Sequence, residues 1–146
     1  MSRSDDAGDL FRGGYACSQA ILVAYAPLVG LEAGEAARLA AGFAAGMRLG
    51  STCGAVTGAI MVLGLALCEG DCAAPDRRAA LAVPIRAFTD QFAEKVGALD
   101  CPGILGCDLR APEGMATAEE RGLFDTVCVD AVRQAARILE EMVPRR

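Results

Sequence analysis

Residues 42–67, GFAAGMRLGSTCGAVTGAIMVLGLAL, decide how the chain is read. Glycines recur at Gly42, Gly46, Gly50, Gly54 and Gly58, and no charged residue stands between Leu49 and Cys68. A helix of about 20 uncharged residues can span a bilayer. This run, however, carries Ser51, Thr52, Cys53 and Thr57 among many small residues, and the chain has no second stretch like it. A central Gly/Ala-rich helix, surrounded by the other helices of a bundle, is the simpler reading. Ser51 suits the N-cap of a helix over residues 52–68. Cys53 then falls in the first turn, where outward N–H groups and the helix dipole favour a thiolate. Gly54 and Gly58 lie one turn apart and bare the backbone beside that thiol. A partner element, a cluster or a substrate could come close there; the same spacing also serves a tight helix crossing.

Outward from this segment the pattern stays helical. Residues 1–13 read as a flexible lead-in, and residues 14–146 as one helical, cysteine-containing domain. Cys17, Ala20, Ile21, Ala24 and Leu28 mark one face of a helix over residues 16–29, closed by Gly30. Leu39, Phe43 and Met47 mark a second, over residues 32–47. Leu81, Ile85, Phe88, Phe92 and Val96 mark another over residues 75–96, bent by Pro84. Asp100 can cap a short turn containing Pro102, and residues 110–116 read as a loop. Thr117 to Glu120 suits a capping box. Val132, Ala135, Ala136, Leu139 and Val143 mark a last helix over residues 126–143. The expected fold is all-α, a compact bundle of about five helices around the glycine-rich one.

Composition narrows the function classes. The chain has 146 residues, 53% hydrophobic and 5% aromatic, with net charge -5. It has no basic run, so nucleic acid is not an expected partner. It contains no histidine, which excludes histidine acid–base chemistry, a Ser-His-Asp triad and a Cys-His pair. A first-shell metal site would have to use thiolates, carboxylates or backbone groups. The opening MSRSDDAGDLFRGG lacks an apolar signal core, so the expected location is cytoplasmic and reducing, with no membrane partner. Seven cysteines in that setting are not expected to form a static disulfide framework.

Four of the cysteines share a setting. Cys17, Cys53, Cys101 and Cys128 each fall in the first turn of an expected helix, where a thiol pKa is depressed. If those helix ends converge, the chain has a catalytic or metal site. Four thiolates suit zinc or an iron–sulfur cluster, and two suit dithiol–disulfide cycling. Cys107 could resolve a disulfide at Cys101 or add a ligand. Cys68 and Cys72 read as secondary, as packing plus a surface thiol. No C-x-x-C pair supports a thioredoxin-like motif or a zinc knuckle. The opposing reading is a non-enzymatic helical interaction or structural protein with inert buried thiols, whose Gly/Ala faces serve helix packing and could also serve contacts between subunits of a homodimer.

The succession YACSQAILVAYA, GFAAGMRLGSTCGAVTGAIMVLGL, CPGILG and FDTVCVDAVRQAARIL resembles the C_GCAxxG_C_C family of redox-active proteins. The likeness runs from about Tyr15 to Leu139 and rests on the whole middle segment. The family label writes Gly and Cys in a different order from residues 53–58 here, and Ala44 replaces the first of two glycines often seen after the phenylalanine. Carried over, the resemblance implies an all-helical redox protein whose four cysteines are Cys17, Cys53, Cys101 and Cys128, with Cys68, Cys72 and Cys107 as additions. It also implies an unidentified redox partner and a link to split-Soret cytochromes, which carry haem and an iron–sulfur centre. The chain has no C-x-x-C-H motif, so covalent c-type haem is not implied.

Overall fold

The helix at the centre is not the glycine-rich one. In the computed structural model, which describes residues 2–145, that place belongs to α2 (Cys17–Val29). It packs against α1 (Arg3–Arg12), α3 (Ala33–Ala40), α4 (Gly54–Leu67) and α9 (Val129–Met142). Ala20, Ile21, Leu22 and Tyr25 of α2 have no exposed surface. The glycine-rich α4 lies along one side of α2, and its Leu65 is 45% exposed. The remaining helices are α5 (Pro75–Ala80), α6 (Ala82–Val96), α7 (Cys101–Leu105) and α8 (Pro112–Glu120). Counting α5 and α6 as one helix broken at Leu81, the described residues form eight distinct helices instead of about five.

The segment preceding Cys53 explains most of the difference. A helix over residues 32–47 is the expectation, but α3 stops at Ala40 and gives way to a single 3-10 turn, Ala41–Phe43. Leu39, expected in the packed stripe, is 57% exposed. Ala45, Gly46, Met47 and Arg48 then take φ values of 54°, 66°, 61° and 60°. Four consecutive left-handed residues end any right-handed helix, since each non-glycine among them costs about 1–2 kcal/mol. The loop closes on itself through Ser51 N–H donating to Gly46 C=O at 2.9 Å. A β-carbon on Gly46 would lie 2.5 Å from the Ser51 carbonyl oxygen, so glycine is required there for space as well as for φ. Ser51 is consequently not the cap of α4; Cys53 is.

Two further helices were not expected. Residues 3–12, read as lead-in, form α1, started by Ser2 Oγ accepting from Asp5 N–H at 3.0 Å. α1 buries Ala7 and Gly8, and Ser4 Oγ donates to Arg133 C=O of α9 at 3.1 Å. Pro112 starts α8 inside the expected loop, because its fixed φ suits a first helical position. Thr117 therefore stands mid-helix, and its hydroxyl donates to Glu113 C=O at 2.8 Å instead of capping.

Elsewhere the apolar stripes pack as their spacing requires. Phe88 and Phe92 of α6 are fully buried and stacked with ring centroids 5.9 Å apart. Burying each contributes roughly 1.5–3 kcal/mol. They face the core with Val132, Ala135, Ala136 and Leu139 of α9. Pro84 has no N–H and crowds the carbonyl four residues back, so the helix breaks at Leu81, ahead of the proline itself. Tyr25 Oη donates to Ala136 C=O at 2.8 Å, which ties α2 to α9. No helix among the described residues is long and apolar enough to cross a membrane.

Candidate functional site

Two helices begin at the same place without a side-chain cap. Ala16 precedes α2 and has no side chain able to accept a hydrogen bond; Cys53 precedes α4 and makes no cap bond. The first N–H groups of a helix need acceptors from outside it. Here the Cys17 sulfur lies against both ends, and the backbone N–H groups of Ser18 and Gly54 help to lower its pKa. One thiolate is thus served by the positive ends of two helices.

The crossing that makes this possible depends on glycine. A β-carbon on Gly54 would lie 2.6 Å from Cys17 Sγ and 2.9 Å from Ser18 N. One turn later, a β-carbon on Gly58 would lie 2.8 Å from Ser18 O and 3.1 Å from the Ile21 β-carbon. Gly54 is therefore the floor on which the Cys17 sulfur rests, and Gly58 continues the close approach of α2 and α4. Ser18 Oγ donates to Ala40 C=O at 2.8 Å and Gln19 Nε2 to Ala37 C=O at 2.9 Å, fixing the start of α2 on α3.

Cys53 and Cys101 are set side by side by a short piece of antiparallel pairing. Thr52 and Asp100 form an isolated bridge. It is flanked by Cys53 N–H donating to Leu99 C=O at 2.7 Å and Cys101 N–H donating to Ser51 C=O at 2.9 Å. Side chains alternate along extended chain, so Thr52 and Asp100 share one side and Cys53 and Cys101 the other. Asp100 also caps α7 by accepting from Gly103 N–H at 3.0 Å. Cys128 arrives from the opposite direction. It ends a π-type turn, Phe124–Cys128, that runs straight into α9, so it lies within helix and not at a free N-terminus.

The four cysteines line one cavity of about 20 Å³, together with Ile104, Leu105 and Ala131. Gly54, Gly58 and Cys107 do not line it. Cys107 packs against the adjoining apolar cluster of Cys101, Leu105, Ala118 and Leu123. Cys53 and Cys101 are buried, while Cys17 and Cys128 keep some surface as residues. The sulfur of Cys17 is nonetheless turned inward, onto Gly54 and the cavity.

Only one of the four thiols is acidified. The Cys53 thiol donates a hydrogen bond to the Cys17 sulfur, which together with the backbone donors lowers Cys17 from an ordinary 9.0 to about 7, against burial. The same bond raises Cys53 well above its ordinary value, reinforced by burial and by the neighbouring charge on Cys17. Burial, with the negative charge at Cys17 behind it, raises Cys101 to about 11 and Cys128 to about 12. The expectation of four depressed thiols fails because desolvation outweighs a helix end wherever no further donor faces the sulfur.

The donor types suit zinc or an iron–sulfur cluster. No group of three or more Cys, Asp or Glu among the described residues is set to hold a metal ion. A cavity of about 20 Å³ is room for about one water. At the far end of α4, Cys68 and Cys72, read as secondary, are joined in a disulfide.

A family model described as "Putative redox-active protein (C_GCAxxG_C_C)" matches residues 15–142. No curated protein and no solved structure matches the chain.

Proposed function

This chain belongs to the C_GCAxxG_C_C family of redox-active proteins, and we propose that it acts by thiol–disulfide exchange through Cys17 and Cys53. The observation that supports this reading is that Cys17 and Cys53 line one small cavity, where the neighbouring Cys53 thiol lowers Cys17 and is itself raised. Near neutral pH such a pair carries one thiolate and one proton. Cys17 is the attacking sulfur and Cys53 the resolving one.

The half-reaction that reduces a substrate disulfide balances without a cofactor and leaves the protein oxidised. Cys17 thiolate attacks one sulfur of a substrate disulfide; that bond breaks and the other sulfur leaves as a thiolate, which takes a proton from solvent. The product is a mixed disulfide on Cys17. Cys53 then loses its proton and attacks Cys17 Sγ, and the second substrate thiol leaves. The substrate gains two electrons and becomes two thiols, while Cys17 and Cys53 become a disulfide. Cys101 and Cys128, held neutral by burial, line the same cavity as Cys17.

Peptide mapping of the reduced protein after treatment with one equivalent of oxidised glutathione tests the reading. The expected product is a Cys17–Cys53 disulfide, and in Cys53→Ser a glutathione adduct on Cys17. Oxidation that bypasses both residues would overturn it.

A further inference from the structure

From the far end of α4 we infer that Cys68 and Cys72 are a second exchange site, one that takes a low-molecular-weight thiol with an apolar body. This site does not depend on the Cys17–Cys53 reading. α4 separates the two sites by 14 residues, or roughly 20 Å of helix, so sulfur cannot pass between them.

The loop is shaped to close with or without the S–S bond. Gly70 takes a φ of +71°, which turns the chain sharply. Asp71 accepts from Ala73 N–H through Oδ1 at 3.0 Å and from Ala74 N–H through its carbonyl at 3.0 Å. Arg77 Nη1 donates to Glu69 C=O at 2.9 Å and straps the loop to α5. Cys68 N–H donates to Gly64 C=O at 3.0 Å, so that residue stays fixed to the end of α4. None of these bonds involves sulfur. A reduced pair would remain adjacent, as a reversible couple requires.

Access and recognition come from the same surface. Cys72 is exposed and Cys68 half-buried, so Cys72 Sγ is the sulfur open to attack. Both line an open cavity of about 510 Å³ with Leu22, Leu39, Met61, Leu65 and Leu81. That volume falls within the range of small-molecule sites. Among the described residues, Arg78 is the one cation in its lining. Its charge complements an incoming thiolate and the thiolate that leaves. The occupant is thus anionic at sulfur and apolar beyond it.

The step follows. Substrate thiolate attacks Cys72 Sγ, the Cys68–Cys72 bond breaks, and Cys68 leaves as a thiolate that is protonated from water. A second substrate thiolate attacks the substrate sulfur of the mixed disulfide and releases Cys72. Two thiols become one disulfide, and the protein gains two electrons and two protons.

The test uses the full chain, oxidised with oxidised glutathione and then exposed to benzyl mercaptan or 2-mercaptoethanol at equal thiolate concentration. Alkylation followed by peptide mapping reports Cys68 and Cys72 separately from Cys17 and Cys53. The disulfide is expected to open in native protein with unchanged circular dichroism. Benzyl mercaptan should act about tenfold faster, the effect of burying about two methylenes' worth of surface. Leu81→Asn should remove that advantage. In Cys68→Ser no Cys68–Cys72 disulfide should form, and a Cys17→Ser background should leave the rate at which Cys68–Cys72 opens unchanged. Failure to form the disulfide, opening only under denaturant, no preference for the apolar thiol, or loss of opening in Cys17→Ser would each overturn the inference.

Discussion

The sulfur of Cys17 occupies the space that a side chain on residue 54 would need: a β-carbon on Gly54 would stand 2.6 Å from it. That contact joins the first residue of α2 to the first residue of α4. It also places the only acidified thiol of the four cavity cysteines against a second helix end.

Gly54→Ala should therefore lose function and stability together. Overpacking of this kind costs about 1–3 kcal/mol, and the displaced sulfur would lose the Gly54 N–H. Gly58→Ala crowds Ser18 O and Ile21 at similar cost, but it leaves the Cys17 environment in place. Urea unfolding should show both variants weakened. Alkylation kinetics should show the acidic thiol lost only in Gly54→Ala.

In the wild-type chain, the rate of iodoacetamide modification at Cys17 should rise with an inflection near pH 7. Cys53→Ala removes the thiol donor, whose bond is the largest lowering influence, and the inflection should move up. If it stays near 7, the acidity comes from the helix ends and not from Cys53.

Reduced protein should be most stable near pH 9. Cys17 falls from 9.0 to about 7 on folding; its contribution is absent below 7, grows between 7 and 9, and is complete above 9. Cys101 and Cys128 rise to about 11 and about 12. They stabilise the fold below 9, and that contribution declines as pH climbs from 9 through those values. Unfolding midpoints measured under reductant from pH 6 to 11 should trace a rise and then a fall.

Asp100 acts both as a cap and as a charge. Asp100→Ala should cost about 1 kcal/mol through loss of the α7 cap. Asp100→Asn should keep the cap. In either variant the Cys101 thiol should titrate below its present value of about 11, because the Asp100 carboxylate is one of the groups holding it up. Thiolate absorbance during an alkaline titration checks this.

Where apolar spacing and a cap coincide in the sequence, the structure follows them. Cys17–Val29 with Gly30 behind it, the Phe88–Phe92 stripe and the Asp100 cap are all legible from side-chain type and period. So is the grouping of Cys17, Cys53, Cys101 and Cys128, although only as a conditional: spacing can place each thiol on its element but cannot bring the elements together. The turn at Ala45–Arg48 was not legible, since alanine, methionine and arginine all favour right-handed helix. Only the fixed positions of α3 and the Thr52–Asp100 bridge force the chain there. The starts of α1 and α8 are written locally, in the Ser2–Asp5 cap and in Pro112. The pKa pattern failed for a different reason. A helix end can be read from sequence, whereas burial and a second donor belong to the tertiary fold. The Cys68–Cys72 bond likewise depends on a turn at Gly70 that spacing alone reads as a helix end.

The reversed turn before Cys53 has a consequence in terms of chirality. Ala45, Met47 and Arg48 sit where the mirror-image amino acid would be at ease, at φ values of 54°, 61° and 60°. A chain assembled by chemical ligation with D-alanine at position 45 should fold to the same structure. It should be more stable by about 1 kcal/mol, since the left-handed conformation is the natural one for that enantiomer. The same D-residue at position 20, inside α2, should be strongly destabilising. Comparing the two melting curves would show how much handedness the chain surrenders to deliver Cys53 to its place.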